Sequence, residues 1–266
     1  MIKEIFCDLD GTLYNEKITE RDLGAIRLAQ EFGINFNIAT GRVFYHAKDI
    51  IKQADINGDI ICENGSYIYN NKGDCIFRST LADSDIKRII SAYRGLKYID
   101  EEDVLYFKYA GEVVIPKNGD LESYFSNGYI VDETILSRES YESKVGNIGI
   151  FSNDHQKLER IVSDLRGVFA NEFDIYISGP VTMNIVPKGV SKFDAIKLLC
   201  KKNNISLDEV VTIGDSQNDI SMLKNIKVSF AMDTAKDDVK SQAAYLTPTV
   251  ADAVKMVIDY NQMNEE

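Results

Sequence analysis

The sequence has no uninterrupted apolar run that approaches the roughly 20 residues needed to span a bilayer. Its first residues, MIKEIFCDLDG, reach acidic positions too early for the hydrophobic segment of a signal peptide. We find no internal repeat and no low-complexity segment over the 266 residues. From these absences we expect a cytoplasmic protein with no membrane partner.

Positive charge is scarce. The chain has 30 Lys and Arg against 42 Asp and Glu, a formal net charge of −12. No cluster of basic residues offsets this surface locally, so it repels nucleic-acid phosphates, and we expect no nucleic-acid partner. No feature implies a protein partner either. Phosphorylated metabolites are also repelled at long range, so any anion site in this chain needs local positive charge.

Cysteine is also sparse, and its four positions show no CxxC spacing. The pattern therefore predicts neither a zinc site nor a redox pair. Cys7 and Cys62 lie in apolar runs and are expected to be core residues.

Strand and helix signals alternate at both ends of the chain. The strands predicted in the first third are Ile2–Leu9, Asn35–Ala39 and Asp59–Glu63, with helices after Thr19 and over Val43–Gln53. Near the other end the predicted elements are a helix over Ser191–Asn203, a strand over Glu209–Ile213, a helix over Gln217–Lys224 and a strand over Ile226–Met232. This alternation favours an α/β fold with a Rossmann-like parallel sheet.

The middle of the chain differs in pattern. It holds two helical patterns and three short strand-like runs: Tyr106–Ile115, Lys144–Phe151 and Asp174–Ser178. We interpret residues 81–186 as an α+β domain inserted into a core made of residues 1–80 and 187–266. Tyrosines in the insert suggest a surface that recognises a substrate, with ordinary packing as the alternative. They are Tyr93, Tyr98, Tyr106, Tyr109, Tyr124, Tyr129, Tyr141 and Tyr176.

The sharpest motif is DLDGTL, Asp8–Leu13, directly after the first predicted strand. Asp8 and Asp10 would share one face if the extended backbone continued. Gly11 then allows a sharp turn that brings backbone N–H groups close to an anion. Two such close carboxylates repel each other, and a Mg²⁺ ion with oxygen ligands would relieve that repulsion. The alternative is an acidic turn capped by Thr12.

A second acidic motif, Gly214–Asp219, also follows a predicted buried strand. Open parallel sheets bind ligands in the crevice beyond the carboxyl ends of their strands. We therefore expect both acidic motifs to face one crevice. Read alone, the second motif could be a helix start, capped by Asp215 or Ser216, with Asp219 favouring the helix dipole.

Two further segments supply groups that suit a phosphate. Thr40 and Gly41 directly follow the second predicted strand, where a hydroxyl and backbone amides suit a phosphoryl oxygen. The alternative is a plain helix cap. Lys188 and Lys192 lie near the start of a later helix, where a cation opposes the helix dipole and needs an anion nearby. For Lys188 we favour an ordinary solvated side chain.

These pieces, in this order, resemble the haloacid dehalogenase (HAD)-like hydrolase superfamily. More narrowly, they resemble its Cof-like phosphatase branch, which carries a large α/β (type IIB) cap between the second and third motifs. The motifs that carry the resemblance are DLDGTL, ATGR, PKGVSK and GDSQND. The segment Glu63–Ser66 also resembles the hairpin that follows the third strand in this family.

The resemblance implies a Mg²⁺-dependent phosphatase of small phosphorylated metabolites that forms an aspartyl-phosphate. Asp8 would be the nucleophile and Asp10 the general acid and base, a role for which we expect Asp10 to be buried beside other carboxylates. Asp8, the backbone carbonyl of Asp10 and Asp215 would hold the metal. Asp219 would support the metal or ligate it directly.

The resemblance also implies a phosphate cradle. Thr40 and Lys192 would hold the transferring phosphoryl group, and amides near Leu9 and Gly41 would complete the contacts. Asn218 would contact the phosphoryl oxygens or Lys192. Two departures from the family pattern would alter contacts at the crevice edge: Phe193 replaces the glycine that usually follows the lysine, and Asp233-Thr234 replaces a glycine-asparagine pair.

Two other classes of function remain open at this point. A phosphomutase of the same architecture would isomerise a sugar phosphate rather than release phosphate. A non-hydrolytic phospho-accepting or binding protein would hold an acyl-phosphate without turnover. The sequence does not distinguish sugar phosphates, nucleotides and phosphorylated cofactors as substrates.

Overall fold

The structure, a computed structural model, describes residues 1–117 and 128–264. The chain divides into two compact units. The core unit comprises Met1–Arg42, Ala47–Phe77 and Ser191–Glu266, and the inserted unit comprises Val43–His46 and Arg78–Val190. Which unit carries catalysis and which reads the substrate stays a prediction.

An eight-stranded sheet forms the centre of the core unit. Its strands are β1 (Glu4–Cys7), β2 (Asn35–Ala39), β3 (Ile60–Cys62), β4 (Tyr67–Tyr69), β5 (Cys75–Arg78), β12 (Val210–Gly214), β13 (Val228–Met232) and β14 (Tyr245–Thr247). The strand order is β14-β13-β12-β1-β2-β3-β4-β5. Neighbours from β14 to β3 are parallel, and β3 pairs antiparallel with β4. The predicted α/β class is confirmed, and the carboxyl ends of β1, β2 and β12 lie side by side.

Helices lie between these strands and after the last of them. They are α1 (Glu20–Glu31), α2 (Phe44–Gln53), α5 (Lys192–Asn203), α6 (Ile220–Leu223), α7 (Asp237–Lys240) and α8 (Val250–Met263). Thr19 caps α1 as predicted, because its side chain accepts from the amide of Asp22. Ser191 caps α5 in the same way, accepting from Asp194. These caps satisfy backbone donors that the first helical turn leaves without partners.

The predicted helix over Gln217–Lys224 was wrong in one respect. A 3₁₀ turn occupies Gln217–Asp219, and only the four residues of α6 follow as α-helix. The tighter turn begins at Ser216, whose side chain and that of Asp219 cap each other's backbone amides. The sequence predicted the start of the element but not its tighter winding.

The inserted unit is an α+β structure with its own core. Its strands are β6 (Val104–Tyr109), β7 (Glu112–Ile115), β8 (Ile130–Val131), β9 (Val145–Phe151), β10 (Phe173–Gly179) and β11 (Thr182–Pro187). They form a sheet of order β10-β11-β9-β6-β7-β8, antiparallel except between β7 and β8. Helices α3 (Asp83–Gly95) and α4 (His155–Phe169) pack their apolar residues against it. The inserted α+β architecture is therefore confirmed.

Two strand predictions in this unit needed correction. The run Tyr106–Ile115 is not one strand but a hairpin, because Ala110 and Gly111 adopt positive φ values of 54° and 86° and reverse the chain. Strand β11 is absent from the predicted elements because Gly179-Pro180 and Pro187, which flank it, are residues that favour turns. Pro187 is the last residue of the strand, a position where a missing N–H is tolerated.

The tyrosines of the insert divide by burial. Tyr106 and Tyr141 are buried, and Tyr141 donates to the carbonyl of Ile135 at 2.7 Å, so packing accounts for them. Tyr124 lies outside the described residues.

Cys7 and Cys62 are buried as predicted. Over residues 1–117 and 128–264, no helix has both the length and the apolar character needed to cross a membrane.

Candidate active site

Asp8 follows β1 and is buried against a lysine from a distant part of the chain. Its Oδ1 accepts a hydrogen bond at 2.5 Å from the Nζ of Lys192, which opens α5. The lysine side chain is completely buried. It donates a second bond, at 2.6 Å, to Oδ1 of Asp219 beyond the end of β12. Three segments that were predicted to converge therefore meet at the carboxyl edge of the sheet.

Asp215 completes an acidic cluster at this edge. One oxygen each from Asp8, Asp215 and Asp219 can be chosen so that all three lie within 4.8 Å of one another. Thr12 donates to Oδ1 of Asp215 at 2.7 Å and fixes its orientation. The other oxygen of Asp219 accepts from the backbone amides of Asp215 and Ser216 at 3.0 and 2.9 Å. Because both oxygens of Asp219 already accept hydrogen bonds, it is better suited to support a cation than to ligate it directly.

Negative charge is in excess in this cluster, which holds three carboxylates and one ammonium. Burial raises the pKa of Asp8 well above its usual value, and the charge of Asp219 raises that pKa further, while Lys192 opposes both. Burial and Asp219 likewise raise the pKa of Asp215, against the hydrogen bond from Thr12. Burial alone would lower the pKa of Lys192, but the charges of Asp219 and Asp8 outweigh it and raise that pKa. A single ammonium thus faces three carboxylates, and burial destabilises the charged forms of Asp8 and Asp215.

This donor set fits a hard divalent cation. Carboxylate oxygens are the ligands that Mg²⁺ prefers, and two added positive charges would offset the two carboxylates that Lys192 leaves uncompensated. Gly11 keeps the approach open: at its φ of 82°, an added Cβ would lie 2.5 Å from Oδ2 of Asp215. Asp8, Asp215 and Asp219 are the side chains that could hold such an ion, and which of them would ligate it directly stays a prediction. Whether the carbonyl of Asp10 joins them stays a prediction.

Asp10 does not lie where the sequence led us to expect. Strand β1 ends at Cys7, and Asp10, unlike Asp8, is not buried. The Asp10 side chain is half exposed and forms a two-point ion pair with Arg42, at 2.6 and 2.7 Å. Arg42 also lies over the ring of Tyr14, 5.5 Å from its centroid. Arg42 therefore orients the carboxylate of Asp10.

The predicted phosphate-binding groups lie around the end of β2. Thr40 is fully buried, and its hydroxyl oxygen accepts from the amide of Arg42 at 3.1 Å. Helix α2 begins only at Phe44, so Thr40 is not its cap. Asn218 donates to Oδ1 of Asn64 at 2.9 Å and accepts from the hydroxyl of Ser216 at 2.5 Å. No direct bond joins Asn218 to Lys192 among the described residues.

The surroundings of Leu9, Lys188 and Phe193 show what each side chain contacts. The Leu9 side chain is fully buried, so only its backbone is available to a ligand. Lys188 is exposed and pairs with Asp174 at 2.6 Å, as expected of a solvated lysine. Phe193, one of the two departures from the family pattern, packs against the apolar residues around α5. The substitution of Phe for glycine is therefore accommodated in the packing of the core unit.

Sequence reasoning missed several residues that shape this site. The sequence indicates Thr12 only as a turn cap, Ser216 as a possible helix cap, and Arg42 only as part of a motif. Asn64 was noted only within a hairpin. A basic side chain two residues beyond Thr40 was the available signal for Arg42 in a chain with so little positive charge. Nothing in the spacing identified its partner.

Comparisons with known proteins identify the family of the chain. A family model described as haloacid dehalogenase-like hydrolase matches residues 5–258. The phosphatase YwpJ of Bacillus subtilis is 30% identical, over 93% of this chain and 95% of that protein. The 5-amino-6-(5-phospho-D-ribitylamino)uracil phosphatase YcsE of the same organism is 25% identical, over 97% of this chain and 94% of that protein.

A solved structure supports the same relationship. A HAD/COF-like hydrolase from Plasmodium vivax matches with a TM-score of 0.84 and 25% identity, covering 97% of this chain and 96% of that one. The match extends over nearly the full length of both chains. The resemblance first drawn from four short motifs is therefore confirmed over whole folds.

Proposed function

Because the chain belongs to the haloacid dehalogenase-like hydrolases, in their Cof-like branch, and is a phosphatase, we propose that it hydrolyses small phosphate monoesters through a phosphorylated Asp8, with Mg²⁺ as its cofactor. The observation that carries this proposal is the buried contact of Asp8 with Lys192 inside a cluster of three carboxylates. A phosphoryl group adds negative charge to a site that already has an excess. The site therefore requires both the ammonium and a divalent ion.

Asp8 serves as the nucleophile. A carboxylate oxygen attacks phosphorus, the bond from phosphorus to the ester oxygen breaks, and the leaving oxygen departs with the electron pair. Lys192 holds Asp8 in place and offsets the repulsion between the carboxylate and the phosphate. When bound by Asp8 and Asp215, Mg²⁺ supplies positive charge that keeps Asp8 ionised and stabilises charge on the phosphoryl oxygens.

Asp10 serves as the general acid and base. It gives a proton to the leaving oxygen, then takes one from the water that attacks the phosphorylated Asp8, which frees phosphate and restores the carboxylate. In this structure both oxygens of Asp10 accept from Arg42. The proposal therefore requires Asp10 to leave Arg42 during turnover. Such proton transfer typically contributes about 10²–10⁴ in rate.

The remaining predicted groups hold the phosphoryl oxygens. The backbone near Leu9 follows the end of β1, and the hydroxyl of Thr40 and the backbone near Gly41 follow the end of β2. The side chain of Asn218 lies in the turn after β12. Hydrogen bonds from fixed donors stabilise charge as it moves onto these oxygens. We assign catalysis to residues 1–80 and 187–266, and recognition of the organic part of the substrate to residues 81–186.

The substrate class follows from chemistry and from relatives. YcsE acts on a phosphorylated ribitylaminouracil, as its name states. We propose that this chain likewise takes a small metabolite with one terminal phosphate. Candidates are sugar phosphates, nucleotides, and phosphorylated cofactors such as pyridoxal phosphate or flavin mononucleotide.

A metabolite screen tests the proposal. Released phosphate is measured over a panel of these candidates and the YcsE substrate, with Mg²⁺ and with a chelator, for the wild type, Asp8→Asn and Asp10→Asn. We expect Mg²⁺-dependent release, loss of turnover in Asp8→Asn, and a decrease of at least about 10² in Asp10→Asn. Equal turnover by Asp8→Asn and wild type would contradict the proposal. An isomerised sugar phosphate without released phosphate would identify a mutase instead.

A further inference from the structure

The segment after β3 has an unusual backbone. Glu63, Asn64 and Gly65 adopt positive φ values in succession, 53°, 59° and 110°. Only glycine, and to a lesser degree Asn and Asp, visits this region readily. Runs of such conformations persist only where the surroundings hold them, and they cluster at functional sites.

Backbone contacts hold this segment against the predicted phosphate site. The amide of Asn64 donates to the carbonyl of Thr40 at 3.1 Å, and the amide of Glu63 donates to the carbonyl of Arg42 at 2.9 Å. These two bonds lie on either side of Gly41. On the other side, Gly65 approaches the backbone of Ser191, since an added Cβ would lie 2.3 Å from its carbonyl oxygen. The segment is therefore fixed between the end of β2 and the residue before Lys192.

The side chain of Asn64 is buried but incompletely satisfied. It is 2% exposed, and its Oδ1 accepts from Nδ2 of Asn218 at 2.9 Å. Ser216 donates in turn to Oδ1 of Asn218, which sets the orientation of both amides. Within the described part of the chain, Nδ2 of Asn64 has no hydrogen-bond partner. A buried donor without a partner is unfavourable unless a ligand satisfies it.

Gly41 leaves open space in front of this donor. A Cβ built on Gly41 would lie 3.1 Å from Oδ1 and 3.5 Å from Nδ2 of Asn64, and 3.4 Å from Nδ2 of Asn218. The absence of a side chain at position 41 thus keeps a small volume lined by two amides. This volume adjoins Thr40, whose hydroxyl is already expected to contact phosphate.

We infer that Asn64 is a further phosphoryl-binding residue, whose Nδ2 donates a hydrogen bond to an oxygen of the group transferred to Asp8. The inference rests on the proposed function. It makes Asn64 a direct ligand of the phosphoryl group and, through Oδ1, a partner that orients Asn218. The strained backbone at residues 63–65 is then the means by which the core unit holds this donor in place.

Two substitutions at Asn64 test the inference, each with a matched control. Asn64→Asp replaces the donor with a negative oxygen, and Asn64→Gly removes the side chain while tolerating a positive φ. Asn204 has the same left-handed conformation, φ 55°, at the exposed end of α5. Asn204→Asp and Asn204→Gly therefore reproduce the backbone and charge changes away from the site.

Binding of inorganic phosphate is the first readout, measured by calorimetry with Mg²⁺ present. We expect Asn64→Gly to weaken phosphate binding about 10-fold or more, the usual range for a hydrogen bond to a charged group, and Asn64→Asp to weaken it further. The Asn204 variants should bind within about twofold of wild type. If Asn64→Gly, which needs no strained backbone to fold, binds phosphate as wild type does, the inference is overturned.

A double variant separates direct contact from positioning. If Asn64 acts only through Asn218, then Asn218→Ala combined with Asn64→Gly should bind phosphate no more weakly than Asn218→Ala alone, and this result contradicts a direct contact. A further loss of about 10-fold in the double variant supports it. Because calorimetry needs no turnover, a wild type that binds phosphate but hydrolyses no metabolite would count against the proposed function and leave this test intact.

Discussion

The two ends of the central sheet in the core unit treat buried carboxylates in opposite ways. At the amino end, Glu4 opens β1 and its two oxygens accept from the side-chain amides of Asn35 and Asn37, both at 2.8 Å. At the carboxyl end, four residues later and just beyond the strand, Asp8 shares the ammonium of Lys192 with another carboxylate. Neutral amide donors satisfy the carboxylate at the amino end, whereas the cluster at the carboxyl end consists of charged groups.

The difference shows which end is prepared for chemistry. Burial raises the pKa of Glu4, the hydrogen bonds from Asn35 and Asn37 oppose that rise, and the cluster needs no ion. The carboxyl end instead holds three carboxylates and one ammonium, an arrangement that additional positive charge would stabilise. Buried carboxylates alone therefore do not indicate a metal site. A shortage of donors that compensate the carboxylate charge is what indicates such a site.

Removing the ammonium at the carboxyl end should have the largest effect on stability. Lys192→Met leaves buried carboxylates without their cation, and we expect a loss of about 3–5 kcal/mol in the free energy of unfolding without metal. Urea denaturation in chelator measures it. The matched control is Lys188→Met, where the exposed pair with Asp174 should be worth less than about 1 kcal/mol. Equal losses in the two variants would mean that the charge cluster does not govern stability.

Filling the turn beside the cluster should have the next largest effect. Gly11→Ala forces an L-residue to a φ of 82° and places a Cβ 2.5 Å from the carboxylate of Asp215. We expect a loss of about 1–2 kcal/mol from the backbone alone. Displacement of Asp215 should also weaken Mg²⁺ binding at least about 10-fold, as measured by calorimetry. Gly33→Ala, at φ 75° with open space around it, is the control that should lower stability but leave Mg²⁺ affinity unchanged.

Removing one charge from the cluster should stabilise the metal-free protein. Because the pKa of Asp8 is raised by burial and by Asp219, the folded state holds a proton more readily than the unfolded state does. Wild-type stability therefore falls as the pH rises from the ordinary aspartate value towards the raised one. At neutral pH in chelator we expect Asp8→Asn to be more stable by about 1–2 kcal/mol.

That gain has a defined pH and metal dependence. It should shrink as the pH is lowered, since protonation of Asp8 in the wild type removes the same charge. It should also disappear on addition of saturating Mg²⁺. Thermal unfolding at several pH values, with and without Mg²⁺, checks both statements. A gain that persists unchanged in Mg²⁺ would show that the ion does not bind through Asp8.

The amino end should respond least. Glu4→Gln exchanges a carboxylate that neutral amides already satisfy for a neutral group of the same size, and we expect a change of less than about 1 kcal/mol. Turnover should stay within about twofold of wild type. Since the pKa of Glu4 is raised, the wild type should gain stability relative to Glu4→Gln on acidification. A loss of turnover in this variant would break the contrast between the two ends.

Much of the site could be predicted because strand ends carry positional information. DLDGTL and GDSQND each follow a buried strand, and parallel strands deliver their carboxyl ends to one edge. Lys192 could be distinguished from Lys188 because a cation in the first helical turn needs an anion. Both expectations rest on backbone geometry that a few residues specify.

The pairings between side chains could not be predicted in this way. Asp10 meets Arg42 because β1 stops at Cys7 and the chain turns at Gly11, and hydrophobic patterns do not specify where a strand stops. Glu63 gives no signal for a positive φ, since glutamate has no preference for that region, so the placement of Asn64 was hidden. These contacts depend on tertiary constraint rather than on local propensity.

The central position of β1 has a consequence for synthesis of the chain. β1 pairs with β2 on one side and with β12 on the other. During translation, one flank of β1 stays unsatisfied until Val210–Gly214 leaves the ribosome, roughly 10–40 s later at ordinary elongation rates. An open, apolar strand flank is a template for wrong pairing. The inserted unit has its own core and can fold during that interval, before the last strands of the central sheet are synthesised.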